Sequence, residues 1–206
     1  PPSLMFFAIG VYLTVSNRIW LYYLVFPLAV LNRETICFLT IFFIIWKLEK
    51  LRERAPALTA KRVSPILLHV LAQVVIWVTI KSWLAHTFAG NSTPTFESSH
   101  SSLFSIRLFF NIKELLKPQL WPIYLSCCGF LLPALWVQRR WIQNAPISRA
   151  CAVIFPLWFV GMMIVGVVPE IRIFSELSVF AVPALALIVY NQYRARVMFA
   201  NPADVD

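Results

Sequence analysis

The sequence predicts an all-α fold, a polytopic transmembrane helix bundle of about six to seven membrane segments, some of them short, with one interfacial amphipathic helix. Three observations predict it. Of the 206 residues, 60% are hydrophobic and only 13% charged, about half the roughly 25% charged share of soluble domains. Several apolar runs approach the ~18–20 residues that span a hydrocarbon core. The runs are continuously apolar and do not alternate with polar residues, which argues against a β-barrel. This composition excludes a soluble enzyme, a disulfide-stapled secreted module and a disordered tail. Five glycines also leave little material for phosphate-cradling glycine-rich loops.

Seven apolar segments follow one another: 4–16, 19–31, 36–46, 65–86, 119–136, 150–168 and 173–190. At about 1.5 Å per residue the last four reach roughly 27–33 Å, enough to cross a bilayer. The first three are short, and read as half-helices, a re-entrant pair, or helices whose ends run on into the polar connections. The outer loop 87–118 has two parts. Residues 90–102 are rich in Ser and Thr and read as a flexible loop, with a formal glycosylation acceptor at Asn91-Ser92-Thr93. Residues 103–117 carry a broad apolar face (Leu103, Phe104, Ile106, Leu108, Phe110, Leu115) broken by Arg107, Asn111, Lys113 and Glu114. They read as a helix in the membrane interface, either a plain connector or a rim over a lipid-accessible cleft. Arg107, Lys113 and Trp121 are the residues expected at that interface. Together, 1–198 form a single helical membrane domain and 199–206 a short polar tail.

Orientation follows from the basic residues. Arg18, Lys47, Lys50, Arg52, Arg54, Lys61, Arg62, Arg139, Arg140, Arg149, Arg194 and Arg196 fall on one side if each of the last four segments crosses once. By the positive-inside rule that side, with the 47–63 loop and the C-terminus, is cytoplasmic, as for a bacterial inner-membrane protein. Tryptophans near segment ends (Trp46, Trp83, Trp121, Trp136, Trp141) suit interfacial belts. The net charge of +9 does not imply nucleic acid, because no polar face interleaves basic and aromatic residues. Cys37, Cys127, Cys128 and Cys151 lie inside apolar runs without a CxxC spacing, and read as small buried hydrophobes rather than as metal ligands or a disulfide. The chain opens Pro1-Pro2 without an initiator Met and without a basic leader, so it is expected to be the later part of a longer protein.

Ionisable residues at membrane depth cost roughly 2.5–3.5 kcal/mol each on insertion scales, which makes them the best pointers to function. Two clusters qualify. Asn32-Arg33-Glu34-Thr35 lies between two apolar runs, with Asn32 expected to cap the following helix and Arg33 and Glu34 in its first turn. Pro169-Glu170-Ile171-Arg172-Ile173-Phe174-Ser175-Glu176 opens the last segment. Pro169 suits the first helical position, Arg172 and Glu176 share a face, and Glu176 is expected about two turns in, with Pro183 bending the same helix. Both clusters fall on the outer side. Arginines at helix N-termini suit anionic groups such as phosphates, and a nearby carboxylate can orient a hydroxyl, take a proton or help hold a divalent cation. Arg33, Glu34, Glu170, Arg172 and Glu176 are therefore the candidate substrate-binding residues; the same residues also suit interhelical ion pairs that fix packing, or an ion or proton pathway. No catalytic residue, metal site or cofactor motif is evident: HExxH, Walker A and GxSxG are absent. His69, with Gln73 four residues on, reads as an interhelical hydrogen-bonding position.

The run Phe26-Pro27-Leu28-Ala29-Val30-Leu31-Asn32-Arg33-Glu34-Thr35, followed by an apolar helix and a basic stretch, resembles the middle of GT-C-type integral membrane glycosyltransferases. Glu170-Ile171-Arg172-Ile173-Phe174-Ser175-Glu176, with Pro183 after it, looks like the outer-edge motif that opens a late helix in these and related membrane proteins. The resemblance implies a polyprenyl-phosphate-linked sugar as donor, bound at the periplasmic or lumenal face. It departs from the family in one respect: such enzymes carry a catalytic acid in the first large outer loop, whereas the aspartates here are Asp204 and Asp206 in the tail. Three readings stay open. The chain is a GT-C-like enzyme portion lacking its catalytic loop, or a non-catalytic subunit that meets partner membrane proteins, or a lipid or anion transporter, which lacks the repeated halves expected of one. Membrane lipids are partners in all three.

Overall fold

The computed structural model describes residues 2–54, 59–88, 108–122, 131–164 and 176–200. Among these, all regular structure is helical: α1 (Pro2–Val15), α2 (Ile19–Asn32), α3 (Cys37–Arg54), α4 (Ala60–Thr87), α5 (Leu108–Leu115), α6 (Leu131–Gln138), α7 (Ala145–Ile164) and α8 (Ser178–Ala200). Short 3₁₀ turns lie at Glu34–Ile36, Pro118–Leu120 and Arg139–Trp141. The all-α class of the sequence reading stands. Among the described residues two helices are long and apolar enough to cross a membrane, α4 and the Pro146–Ile164 part of α7, so its count of six to seven spans is not confirmed. The apolar α1 and α2 have 14 residues each, about 21 Å of helix.

The α1–α2 hairpin turns at Asn17, whose φ of 59° places it in the left-handed region that Asn tolerates. The Arg18 N–H donates to the Leu13 carbonyl at 2.9 Å and the Asn17 N–H to that of Thr14 at 3.3 Å. This pair of bonds closes the end of α1 as a Schellman motif. At the far end of α2 the chain breaks differently from expectation. Asn32 is the last residue of α2 rather than a cap for α3, and Arg33 is extended, with φ −159° and ψ 147°. Glu34 then enters the 3₁₀ turn that leads to α3. One extended residue followed by a tight turn reverses the chain without needing a cap.

α3 runs on through the basic stretch to Arg54. Lys, Glu, Leu and Arg are all good helix formers, and Lys50–Glu53 and Arg52–Glu49 pair three residues apart along it. α4 likewise starts five residues before Pro65. Proline lacks the N–H that would reach the Lys61 carbonyl, and the Ser64 hydroxyl donates to that carbonyl instead, at 3.2 Å.

The core lies between α1, α2, α3, α7 and α8 and is rich in aromatic rings. Phe7 meets Trp158 and Phe180 edge-on at 6.0 and 5.5 Å, while Phe38 packs on Trp158 at 4.3 Å and Phe42 on Phe180 at 5.2 Å. Such pairs contribute about 0.5–1.5 kcal/mol each beyond their burial. α3 reaches α1 closely because Gly10 has no side chain where Leu39 packs. α4 sits outside this core against α2 and α3. Its outward face is a continuous aliphatic stripe of exposed Leu67, Leu68, Leu71, Val74, Val75 and Val78.

Polar residues collect at the two ends of the bundle. At one end Lys47 donates to the Asn17 side chain at 2.6 Å, Arg149 and Arg52 both bond Glu49, and the Asn191 amide donates to the Trp141 carbonyl at 2.7 Å. This end gathers the connections that carry the twelve basic residues named above. The opposite end holds Arg33, Thr35 and Glu176, together with the contact of α5 on α7.

Candidate functional site

Arg33, Thr35 and Glu176 meet where the α2–α3 junction touches the start of α8. Glu176 is fully buried and lies in a 3₁₀ turn directly ahead of α8, not two turns inside that helix. Its Oε1 accepts from Arg33 Nη1 at 3.0 Å and its Oε2 from the Thr35 hydroxyl at 2.5 Å. The two donors come from one short segment. The extended backbone at Arg33 and the 3₁₀ turn after it bring residues 33 and 35 to the same carboxylate. Burying an ion costs several kcal/mol, roughly, unless it is paired and hydrogen-bonded, and here each oxygen has its own donor. The pairing is also asymmetric in exposure, since the Arg33 side chain is 26% exposed and that of Glu176 0%. The buried carboxylate thus anchors a guanidinium that lies at the surface of the bundle end.

The candidate residues of the sequence reading divide as follows. Arg33 and Glu176 are brought together across 143 positions of chain. Glu34 lies in the 3₁₀ turn beside them. Glu170, Arg172 and Arg107 fall outside the described residues, as do Cys127 and Cys128. Lys113 is exposed on α5. Trp121 is half-exposed and its indole N–H donates to the Leu115 carbonyl at 2.9 Å. Cys151 is buried, as a small hydrophobe should be. Thr35 was not among the candidates; the sequence signal that marks it is its place next to Arg33-Glu34.

Two further polar contacts support the site's framework. Between α2 and α4, the Tyr22 hydroxyl donates to Gln73 Oε1 at 3.0 Å, and the Tyr23 hydroxyl lies 2.9 Å from His69 Nδ1 and 3.1 Å from the His69 carbonyl. His69 therefore makes the interhelical bond expected of it, to a tyrosine that the sequence did not single out. Gln73 is fully buried near the middle of α4, and among the described residues its Nε2 has no hydrogen-bond partner.

The second contact is on α5, where burial is inverted. Asn111 is fully buried while Phe109 is 84% exposed, with Ile112 and Leu116 also exposed. The Asn111 amide donates to the carbonyls of Met162 and Met163 at 3.2 and 2.9 Å. Those carbonyls belong to the last turn of α7, whose acceptors lack intrahelical donors. A polar residue docks the helix and its apolar residues face outward. Hydropathy reads such a helix with its inner and outer faces exchanged.

Among the described residues no three His, Cys, Asp or Glu side chains lie together. No protein family, curated protein or solved structure matches the chain.

Proposed function

We propose that this chain is a polytopic membrane protein that binds a phosphate-bearing lipid at the end of the bundle that holds Arg33. The observation that carries the reading is the fixed guanidinium. A buried Glu176 bonded by Arg33 and Thr35 holds a partly exposed arginine at one end of a helical bundle, and arginine is the side chain best shaped for phosphate oxygens. The membrane setting is supported by two span-length helices and by the aliphatic exterior of α4. An exposed apolar face of that extent is a liability in water and costs nothing in hydrocarbon. The basic end then faces the cytoplasm and Arg33 the opposite side. The GT-C resemblance names the ligand class, a polyprenyl-phosphate-linked sugar. Donor binding is the part of the chemistry assigned to these residues, with Arg33 on the phosphate and Glu176 and Thr35 as positioning residues. Glycosyl transfer would need a catalytic acid from elsewhere.

A second reading is favoured by a specific feature. Both Glu176 oxygens are occupied by donors of this chain, which is what a packing clamp in a non-catalytic subunit requires. One experiment separates the two. Thermal unfolding in neutral detergent is followed with and without a polyprenyl phosphate, for the native chain, Arg33→Lys and Arg33→Gln. The donor-binding reading expects a ligand-dependent rise in Tm that Arg33→Lys weakens and Arg33→Gln abolishes. No rise in the native chain leaves the clamp as the function of the pair.

A further inference from the structure

The basic end contains a quadrant that no carboxylate among the described residues neutralises. The Asn191 amide bonds the Trp141 carbonyl at 2.7 Å and the Gln192 amide bonds the Gln138 side chain at 3.1 Å. These bonds bring the last turns of α8, with Arg194 and Arg196, beside the 3₁₀ turn that carries Arg139 and Arg140. All four arginines are exposed. The described carboxylates at this end, Glu49 and Glu53, serve Arg52, Arg149 and Lys50. Among the described residues no carboxylate lies within ion-pair distance of Arg139, Arg140, Arg194 or Arg196. Exposed apolar and aromatic side chains precede the charges in the adjoining helical turns: Trp136 and Val137 before Arg139, Tyr190 and Tyr193 before Arg194. The Arg139 guanidinium lies 4.4 Å from the centre of the Trp136 ring.

Unneutralised arginines held together repel one another and call for an anion. Exposed apolar and aromatic side chains in the helical turns before them call for a hydrocarbon chain. One class of molecule carries both parts. We propose that this quadrant is a docking site for an anionic phospholipid. Its phosphate lies among Arg139, Arg140, Arg194 and Arg196, and its acyl chain runs along Val137, Tyr190 and Tyr193. The site rests on the membrane setting proposed above but not on the ligand proposed for Arg33, which lies at the other end.

The test uses the full chain in two steps. Flotation with phosphatidylcholine vesicles after an alkaline carbonate wash asks whether the protein is membrane-embedded; a chain that stays at the bottom of the gradient overturns the membrane setting and the lipid site together. Native mass spectrometry from neutral detergent then compares phosphatidylglycerol, phosphatidylcholine and glycerol 3-phosphate as added ligands. The native chain is expected to retain phosphatidylglycerol over phosphatidylcholine by about tenfold or more, at about fivefold per contributing basic residue. Arg139→Gln/Arg140→Gln is expected to remove most of that preference, while Lys61→Gln/Arg62→Gln, with the same loss of charge elsewhere on this end, keeps it. Equal loss in both double variants would show a diffuse field and no site. A floating protein without lipid preference, or one whose phosphatidylglycerol is displaced by equimolar glycerol 3-phosphate, also overturns the proposal.

Discussion

Substitution at Glu176 is decided by which partner is left behind. Arg33→Met strands a fully buried carboxylate and is expected to cost about 3–5 kcal/mol, the range for breaking a buried pair. Glu176→Gln costs less, because Arg33 is partly exposed and can turn to water or headgroups. Replacing both by methionine removes the stranded charge, so the double variant should regain most of the loss. Thermal unfolding of the three variants as a double-mutant cycle measures this; additive losses would mean that the pair is not coupled. Gly10 makes a second residue-scale prediction. A Cβ there would collide with Leu39 Cδ2 and crowd its Cδ1 and Cγ at 3.1 and 3.2 Å. Leu39 is itself buried and has little room to move. Gly10→Ala should therefore destabilise by about 1–3 kcal/mol, and Leu39→Ala in the same chain should cost less than it does alone.

At the scale of elements, α4 is held on α2 by an imperfect polar contact. Gln73 satisfies Tyr22 but its own Nε2 finds no partner among the described residues, and a buried donor left unmade costs about 1–3 kcal/mol. Tyr22→Phe/Gln73→Leu removes every polar atom of that contact and should unfold at or above the native temperature, while Tyr22→Phe alone should unfold below it. α5 behaves in the opposite sense, because the amide nitrogen of its buried Asn111 donates to two α7 carbonyls. Asn111→Leu should release α5 from α7, read as faster hydrogen exchange at residues 108–115 with little change in α1–α3. The elements also show what the sequence makes legible. The apolar runs located α1, α2, α4 and α7, because burial and lipid exposure select the same side chains. For α3 they left three readings open, and the one in which the helix runs on into the polar connection holds, to Arg54, since Lys, Glu and Arg end a hydropathy run without ending a helix. They counted Asn111 only as a break in the apolar face of 103–117, because a side chain that caps another helix looks, in one dimension, like any other amide. Arg33 and Glu176 stood out individually by their cost in an apolar setting, whereas their pairing depends on the tertiary fold and no local pattern encodes it.

Among the described residues one end of the molecule is strongly basic, while the other pairs Arg33 with Glu176 and Lys117 with Glu114. A bilayer would read this asymmetry as orientation. Cysteines placed singly at Lys61 and Lys113, in a chain whose four native cysteines are replaced by alanine, should react with an impermeant maleimide from opposite faces of sealed vesicles. Reaction of both from one face would contradict the two-ended arrangement.

The pairing of Arg33 with Glu176 also has a temporal side. The ribosome adds about 5–20 residues per second, so over the 143 positions between the two Arg33 emerges roughly 7–30 s before its partner. Throughout that interval the nascent chain presents an arginine without its carboxylate, in a segment already apolar enough to leave water. Chains truncated before α8 should accordingly be degraded rapidly, and replacing Arg33 with methionine should lengthen the lifetime of the truncated form while destabilising the complete one. The same side chain that secures the finished bundle would then mark the unfinished one.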